Sequence, residues 1–233
     1  MYYPFYYDPT YILLLPAIIL AIYAQFRVQH TYAKYQKVQN RRGITGADAA
    51  KMILKKNGLY EIAVERIAGN LTDHYDPRAN VVRLSAAVYD SASVASVGIA
   101  AHEVGHALQH NLGYTPIRIR NSILPVVQIS SHLAMPLILL GIFLSSFSVL
   151  IKIGIIMYAA VVAFQLITLP VELNASARAA QTVYELGCLD YEETKGAKRV
   201  LSAAALTYIA AAASAILQLL RLLLLTGNHR RRD

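Results

Sequence analysis

From Ile123 to Leu169 the chain runs through apolar residues with Lys152 as its one charge, and Tyr11 to Phe26 carries no charge at all. A hydrocarbon core about 30 Å thick is crossed by about 20 helical residues rising 1.5 Å each, so both stretches are long enough to span a bilayer. The longer one exceeds a single crossing. Ser145-Ser-Phe-Ser148 offers a turn inside it, which predicts a hairpin of helices from Ile123 to Leu144 and from Val149 to Leu169. Pro170 is expected to mark where the returning helix meets water, and the run from Leu201 to Leu225 is long enough to cross again. An apolar fraction of 56% against 15% charged residues supports membrane residence, since soluble domains hold roughly 45–50% and about 25%.

Arg27, Lys34, Lys37, Arg41 and Arg42 follow the first apolar run, while only Asp8 precedes it. Positive residues stay on the cytoplasmic side, which places the N-terminus outside and the segment up to Asn121 in the cytoplasm. The tyrosine-rich start has no Lys or Arg, so the first helix is read as a retained anchor rather than a cleaved signal. The net charge of +8 gathers beside apolar runs, as in membrane loops, and does not indicate nucleic acid. Cys188 is the single cysteine, so neither an internal disulfide nor a cysteine metal cluster is available. Lys152 is expected to reach the outer interface, and His132, among apolar residues, to be buried and bonded to a neighbouring helix.

Between the anchor and the hairpin the pattern changes. Gly46 to Gly58 reads as a short amphipathic helix stopped at Asn57-Gly58. Glu61–Ile67 alternates, and Leu71–Tyr75 and Val81–Leu84 flank Asp76-Pro-Arg-Ala-Asn80, which is turn chemistry; a small antiparallel sheet with a hairpin is expected. Val81–Leu84 is read as an edge strand suited to holding an extended substrate by its main chain. From Ser91 a helical pattern runs through His110 until Asn111-Leu-Gly113 ends it.

That last helix carries His102-Glu103-Val104-Gly105-His106. Four residues advance a helix by slightly more than one turn, so both imidazoles leave one face and can reach a single ion, with Glu103 beside them to take a proton from water. With no further cysteine, zinc held by His and carboxylate ligands is the expected cofactor, one ion per chain. A catalytic zinc needs a third protein ligand. The metzincin positions hold Gln109 and Leu112, which excludes that class. His110 lies another turn along and would not reach back. The later apolar helices contain no Asp, which excludes the pattern of intramembrane site-two proteases. Glu172, just past the returning helix, is the leading candidate, with a helix-cap or dipole role as its alternative. Glu185, Glu192 and Glu193 read as solvated charge, and His74 and Tyr75 as parts of a hairpin.

The chain resembles the YugP-type neutral zinc metallopeptidases of bacterial membranes, and more distantly the membrane CAAX-prenyl and heat-shock zinc proteases. The resemblance runs through Leu71-Thr-Asp-His-Tyr-Asp-Pro-Arg78, Val81-Val-Arg-Leu-Ser85, the HEVGH core and Leu169-Pro-Val-Glu-Leu-Asn-Ala-Ser176. It implies a gluzincin-like site in which His102, His106 and Glu172 bind zinc and Glu103 is the catalytic base. Where such families often read Glu-Phe-Asp-Ala-Ser, this chain has Leu173 and Asn174. The related prenyl-protein proteases place an Asp where Ser176 stands, which leaves open what orients the histidines. Arg178 is a candidate donor to the oxyanion.

The expected architecture is an α-helical multi-pass membrane protein with a cytoplasmic α+β zincin-like metalloprotease unit. Residues 1–29 form the anchor, 30–121 the unit with the HExxH helix, 122–170 the hairpin, 171–200 the helix with the third ligand, and 201–233 a last membrane helix and basic tail. The expected partners are a peptide or membrane-protein substrate and the lipid bilayer. A rival of another class is a non-catalytic membrane adaptor with a structural zinc site, which would have no need of Glu103.

Overall fold

The computed structural model describes residues 9–144 and 148–229. A 3-10 turn, Pro9–Leu14, leads into α1 (Leu15–Gln36); α2 (Gly46–Lys56), β1 (Ala63–Ile67), β2 (His74–Asp76), β3 (Val81–Ser85), α3 (Ala86–Tyr89) and α4 (Val94–Asn111) follow, and then α5 (Thr115–Phe143), α6 (Ser148–Glu185) and α7 (Tyr191–His229). Of the expected turn at Ser145–Ser148, residues 145–147 lie outside the described residues and Ser148 opens α6. The fold is mostly helical, with a small mixed sheet. Two compact units divide the chain. One holds the described parts of 1–23, 119–169 and 208–233, and the other holds 24–118 and 170–207.

In the first unit the apolar stretches are helical. Four helices are long and apolar enough to cross a membrane: Pro9–Gln36, Thr115–Phe143, Val149–Glu185 and Tyr191–Thr226. Ile19, Val126, Phe143 and Ile156 point outward, an arrangement that suits lipid and would be costly in water. Small residues bring helices together. A Cβ on Gly154 of α6 would stand 2.8 Å from the Ala134 carbonyl oxygen of α5, so only glycine allows that approach. Arg221 on α7 is covered by the Tyr11 ring, 3.7 Å from its guanidinium carbon, and donates from Nε to Thr10.

Two expectations are corrected here. The helix expected over Val149–Leu169 does not stop at Leu169: α6 runs through Pro170 from Ser148 to Glu185, because the proline forfeits one backbone bond and the neighbouring turns carry the helix on. At 38 residues and about 1.5 Å each, α6 is about 57 Å long, nearly twice a hydrocarbon core. His132 is exposed rather than buried, and its Nδ1 contacts the Gln128 carbonyl of its own helix at 2.7 Å.

In the second unit α2 opens on a reciprocal cap. Thr45 Oγ1 accepts from the Asp48 amide, and the Asp48 carboxylate accepts from the Thr45 amide. Gly58 at φ +72° stops it. The sheet is mixed rather than antiparallel, in the order β1-β3-β2, with β1 parallel and β2 antiparallel to β3. β3 is therefore the centre, not an edge, and its main chain is not free to hold a substrate. Its sequence explains the place: Val81, Val82, Leu84 and Ser85 are all buried, whereas β1 is half exposed, and a strand covered on both faces belongs in the middle. The Asp76–Asn80 turn behaves as expected. Asp76 accepts from the Arg78 and Ala79 amides, and Asn80 takes φ +56°. α4 forms the spine of the core, with Val94, Val97, Ala100, Ala101, Val104 and Ala107 packed against Val82, Leu84, Val88, Ala179, Val183 and Ala197.

Candidate metal centre

Ser93 caps α4 by accepting from the Ser96 amide at 3.1 Å, and the apolar face of the helix is buried. That burial fixes the helix's rotation, which sends His102 and His106 toward α6. The last feature of the motif, Gly105, sets the distance between the helices. A Cβ there would lie 2.9 Å from the Ala175 carbonyl oxygen, inside any tolerable contact. Glu172, one turn before Ala175 on α6, is brought against the two rings as a result.

The imidazoles sit one turn apart with ring centroids 4.7 Å apart and planes at 83°. Glu172 Oε2 lies 3.3 Å from His102 Nε2 and 3.5 Å from His106 Nε2. The three donor atoms fall within 4.8 Å of one another, a grouping that could hold a metal ion. The donor set suits zinc. With bonds of about 2.0–2.1 Å in tetrahedral array, neighbouring donors stand about 3.4 Å apart, which is the spacing of the carboxylate oxygen from each ring. The Glu172 side chain is 3% exposed and the histidines 15% and 12%.

Both rings are held from behind. Ser176 Oγ is 3.1 Å from His102 Nδ1, and Gln109 Oε1 is 3.1 Å from His106 Nδ1. The buried Gln109 amide also donates to the Val171 carbonyl at 2.8 Å and to Asn174 Oδ1 at 3.0 Å. One side chain thus ties α4 to α6 while orienting a ring. Asn174 Oδ1 accepts a second bond, from Arg178 Nε at 2.8 Å. The asparagine carbonyl thus supplies both acceptances without a charge.

Electrostatics bind the group further. Burial opposes an ionised Glu172, yet bonds from His102 and His106 outweigh it and hold the carboxyl well below the usual carboxylate range. Burial likewise opposes a charged His106, but the Glu172 carboxylate and the charge of Glu103 raise its pKa above the ordinary value. Glu103 is half-buried on α4 and is thus felt at the centre.

The other candidates are engaged elsewhere. His110 meets the Tyr75 ring edge-on at 6.1 Å. Glu185 accepts from Gln181, Glu192 from Lys195, and Glu193 from the Arg41 and Asp190 amides. His74 Nδ1 contacts the Thr72 carbonyl. Gln109 escaped notice except as a position failing the metzincin pattern, although its spacing of three from His106 places it on the same helical face. Ser176 stands in the same relation to Glu172, four residues on.

Residues 10–227 match the family model described as "Putative neutral zinc metallopeptidase". A relative described as "Putative membrane protease YugP", from Bacillus subtilis (strain 168), is 48% identical over 218 residues, covering 94% of this chain and 96% of that protein. No solved structure matches. With the match running nearly from end to end, and with a buried His-His-Glu group of the right chemistry at its centre, the chain belongs to this membrane-associated family of neutral zinc metallopeptidases.

Proposed function

We propose that the protein is a zinc endopeptidase that hydrolyses peptide bonds in membrane or membrane-proximal proteins. His102, His106 and Glu172 hold the ion, and Glu103 is the general base. The observation that carries this reading is the convergence of one carboxylate oxygen on two Nε2 atoms at 3.3 and 3.5 Å, with a second glutamate beside the first histidine in the chain.

When bound, zinc supplies Lewis acidity, lowering the pKa of a coordinated water toward about 7 and polarising the scissile carbonyl. The chain's own residues do the rest. Glu103 accepts the proton of the attacking water on its carboxylate and later delivers it to the leaving amine nitrogen. Glu172 supplies the negative charge that balances the cation. Ser176 and Gln109 hold Nδ1 of each ring so that Nε2 faces the ion. Arg178, anchored through Nε to Asn174, is the proposed donor to the oxyanion. The basic residues after the first apolar helix support placing this zincin-like unit on the cytoplasmic face. Glu103 favours an enzyme over a structural clasp, since a clasp has no work for a base.

The test is made on the purified full chain in lipid vesicles. Glu103→Gln should keep one zinc per chain while cleavage of quenched fluorescent peptides falls about 10²–10⁴-fold. Glu172→Ala should lose the metal. Undiminished cleavage by Glu103→Gln would sink the assignment of the base, and full metal retention by Glu172→Ala that of the ligand.

A further inference from the structure

The helices of the first unit line an open, cleft-like cavity of about 340 Å³, within the range of about 300–1,000 Å³ usual for ligand pockets. Its walls are three helical stripes. Tyr158 and Gln165 come from α6, Ser214 and Gln218 from α7, and Leu14 and Ala17 from the start of the chain. All lie inside segments long and apolar enough to cross a bilayer. In Val149–Leu169 and Leu201–Leu225, the crossing stretches of α6 and α7, Tyr158 stands close to the midpoint and Gln165 and Gln218 within about two turns of it.

Polar groups at that depth normally find a partner, because lipid tails offer none. Ser214 does so by donating to the Ala210 carbonyl of its own helix at 2.8 Å, Thr226 by donating to that of Leu222, and Arg221 through Thr10 and the Tyr11 ring. The Tyr158 hydroxyl and the Gln165 and Gln218 amides have no hydrogen-bond partner among the described residues, and all three line the same cavity. An acyl chain could fill the space but could not bond to them, and a charged headgroup does not reach that depth. The wall between them is built of small side chains, Ala211, Ser214 and Ala215 on α7 with Ala17 opposite, which lets a helix backbone come close.

We infer that this cavity is a docking site for a transmembrane helix of another protein that carries a hydrogen-bonding side chain near mid-bilayer. Two glutamine amides supply both donors and acceptors, so Asn, Gln, Ser or Thr on the incoming helix would be received, whereas an all-aliphatic helix would not. The inference is independent of the chemistry proposed for the metal centre.

The test uses the full chain, dye-labelled and reconstituted in phosphatidylcholine vesicles, with two designed leucine-rich transmembrane peptides differing only in a central Asn or Leu. Energy transfer should show the Asn peptide bound about tenfold more tightly, and Gln165→Leu/Gln218→Leu should erase that difference. A photoreactive side chain at Ala211 should crosslink the Asn peptide, while one at Ile156, exposed on another face of α6, should not. Equal affinity for the two peptides, or a preference that survives the double substitution, overturns the site. So does crosslinking at Ala211 that joins two copies of this chain and excludes the peptide.

Discussion

Gly105→Ala separates the geometry of the metal centre from its chemistry, since it touches no ligand. The added Cβ would stand 2.9 Å from the Ala175 carbonyl oxygen, where ordinary contact begins at about 3.4 Å. The obstacle is main chain and cannot swing aside, so α4 and α6 must part by the difference, about 0.5 Å. Overpacking of this kind costs about 1–3 kcal/mol, and the better helix propensity of alanine returns up to about 1 kcal/mol. The fold should therefore survive. The centre should not, because Glu172 rides on α6 while both histidines ride on α4, and metal–ligand distances tolerate only about 0.2 Å. Zinc affinity is expected to fall about ten- to hundred-fold. Competition against a chromogenic chelator in detergent measures it, and melting with and without excess zinc gives a second readout. A hundredfold weaker site loses about 2.7 kcal/mol of zinc-dependent stabilisation at fixed zinc. Gly98→Ala is the control: on the same helix its Cβ would lie 3.1 Å from the Ala197 Cβ of α7, which carries no ligand, so stability should drop slightly and zinc affinity stay. Wild-type zinc affinity in Gly105→Ala, or equal weakening in Gly98→Ala, would refute the reasoning.

Further outcomes follow from the groups around the centre. Ser176→Ala removes the partner of His102 Nδ1 and should weaken zinc about tenfold in the same chelator assay, with little change in melting without metal. Gln109→Ala strips partners from His106, the Val171 carbonyl and Asn174 together, and should lower both zinc affinity and metal-free stability, the latter by about 2–3 kcal/mol in denaturant titration. Asp76 is held below its ordinary pKa by the Arg83 guanidinium and by the Ala79 and Arg78 amides. Its contribution is thus complete above about pH 5 and fades as pH falls through its folded-state pKa. Asp76→Asn should be less stable than wild type at pH 7, and the gap should narrow as pH falls below the ordinary carboxylate range; a gap that stays constant into acid would contradict this.

Sequence made parts of this molecule plain and hid others for physical reasons. His102 and His106 could be placed on one face from spacing alone, and the helix expected from Ser91 to Gly113 is α4, which starts a turn later, on the Ser93 cap. The apolar runs announced four membrane-competent helices because length and hydropathy are local properties. Sheet order is not local. Nothing within Val81–Ser85 states that Ala63–Ile67 pairs with it in parallel, and Arg83 in the middle of the strand gives it the look of an edge. The helix end expected at Leu169 was wrong because apolarity stops there while helical backbone does not, and the turns around Pro170 carry α6 on to Glu185. Asn174 and Ser176 depart from the acidic residues that related families place there, and charge alone left their use open. Judged as an acceptor and a hydroxyl within reach of Gln109, Arg178 and His102, they complete the site.

The bonds to the two Nδ1 atoms have a thermodynamic corollary. Ring orientation is settled by folding and does not wait for an ion, and the core around α4 is built from aliphatic packing in which no metal takes part. The apo chain should therefore be a folded, cooperative protein with an empty seat, unlike a zinc finger, whose architecture vanishes when its ion is chelated. Such a protein can be inserted into the membrane first and loaded with zinc afterwards.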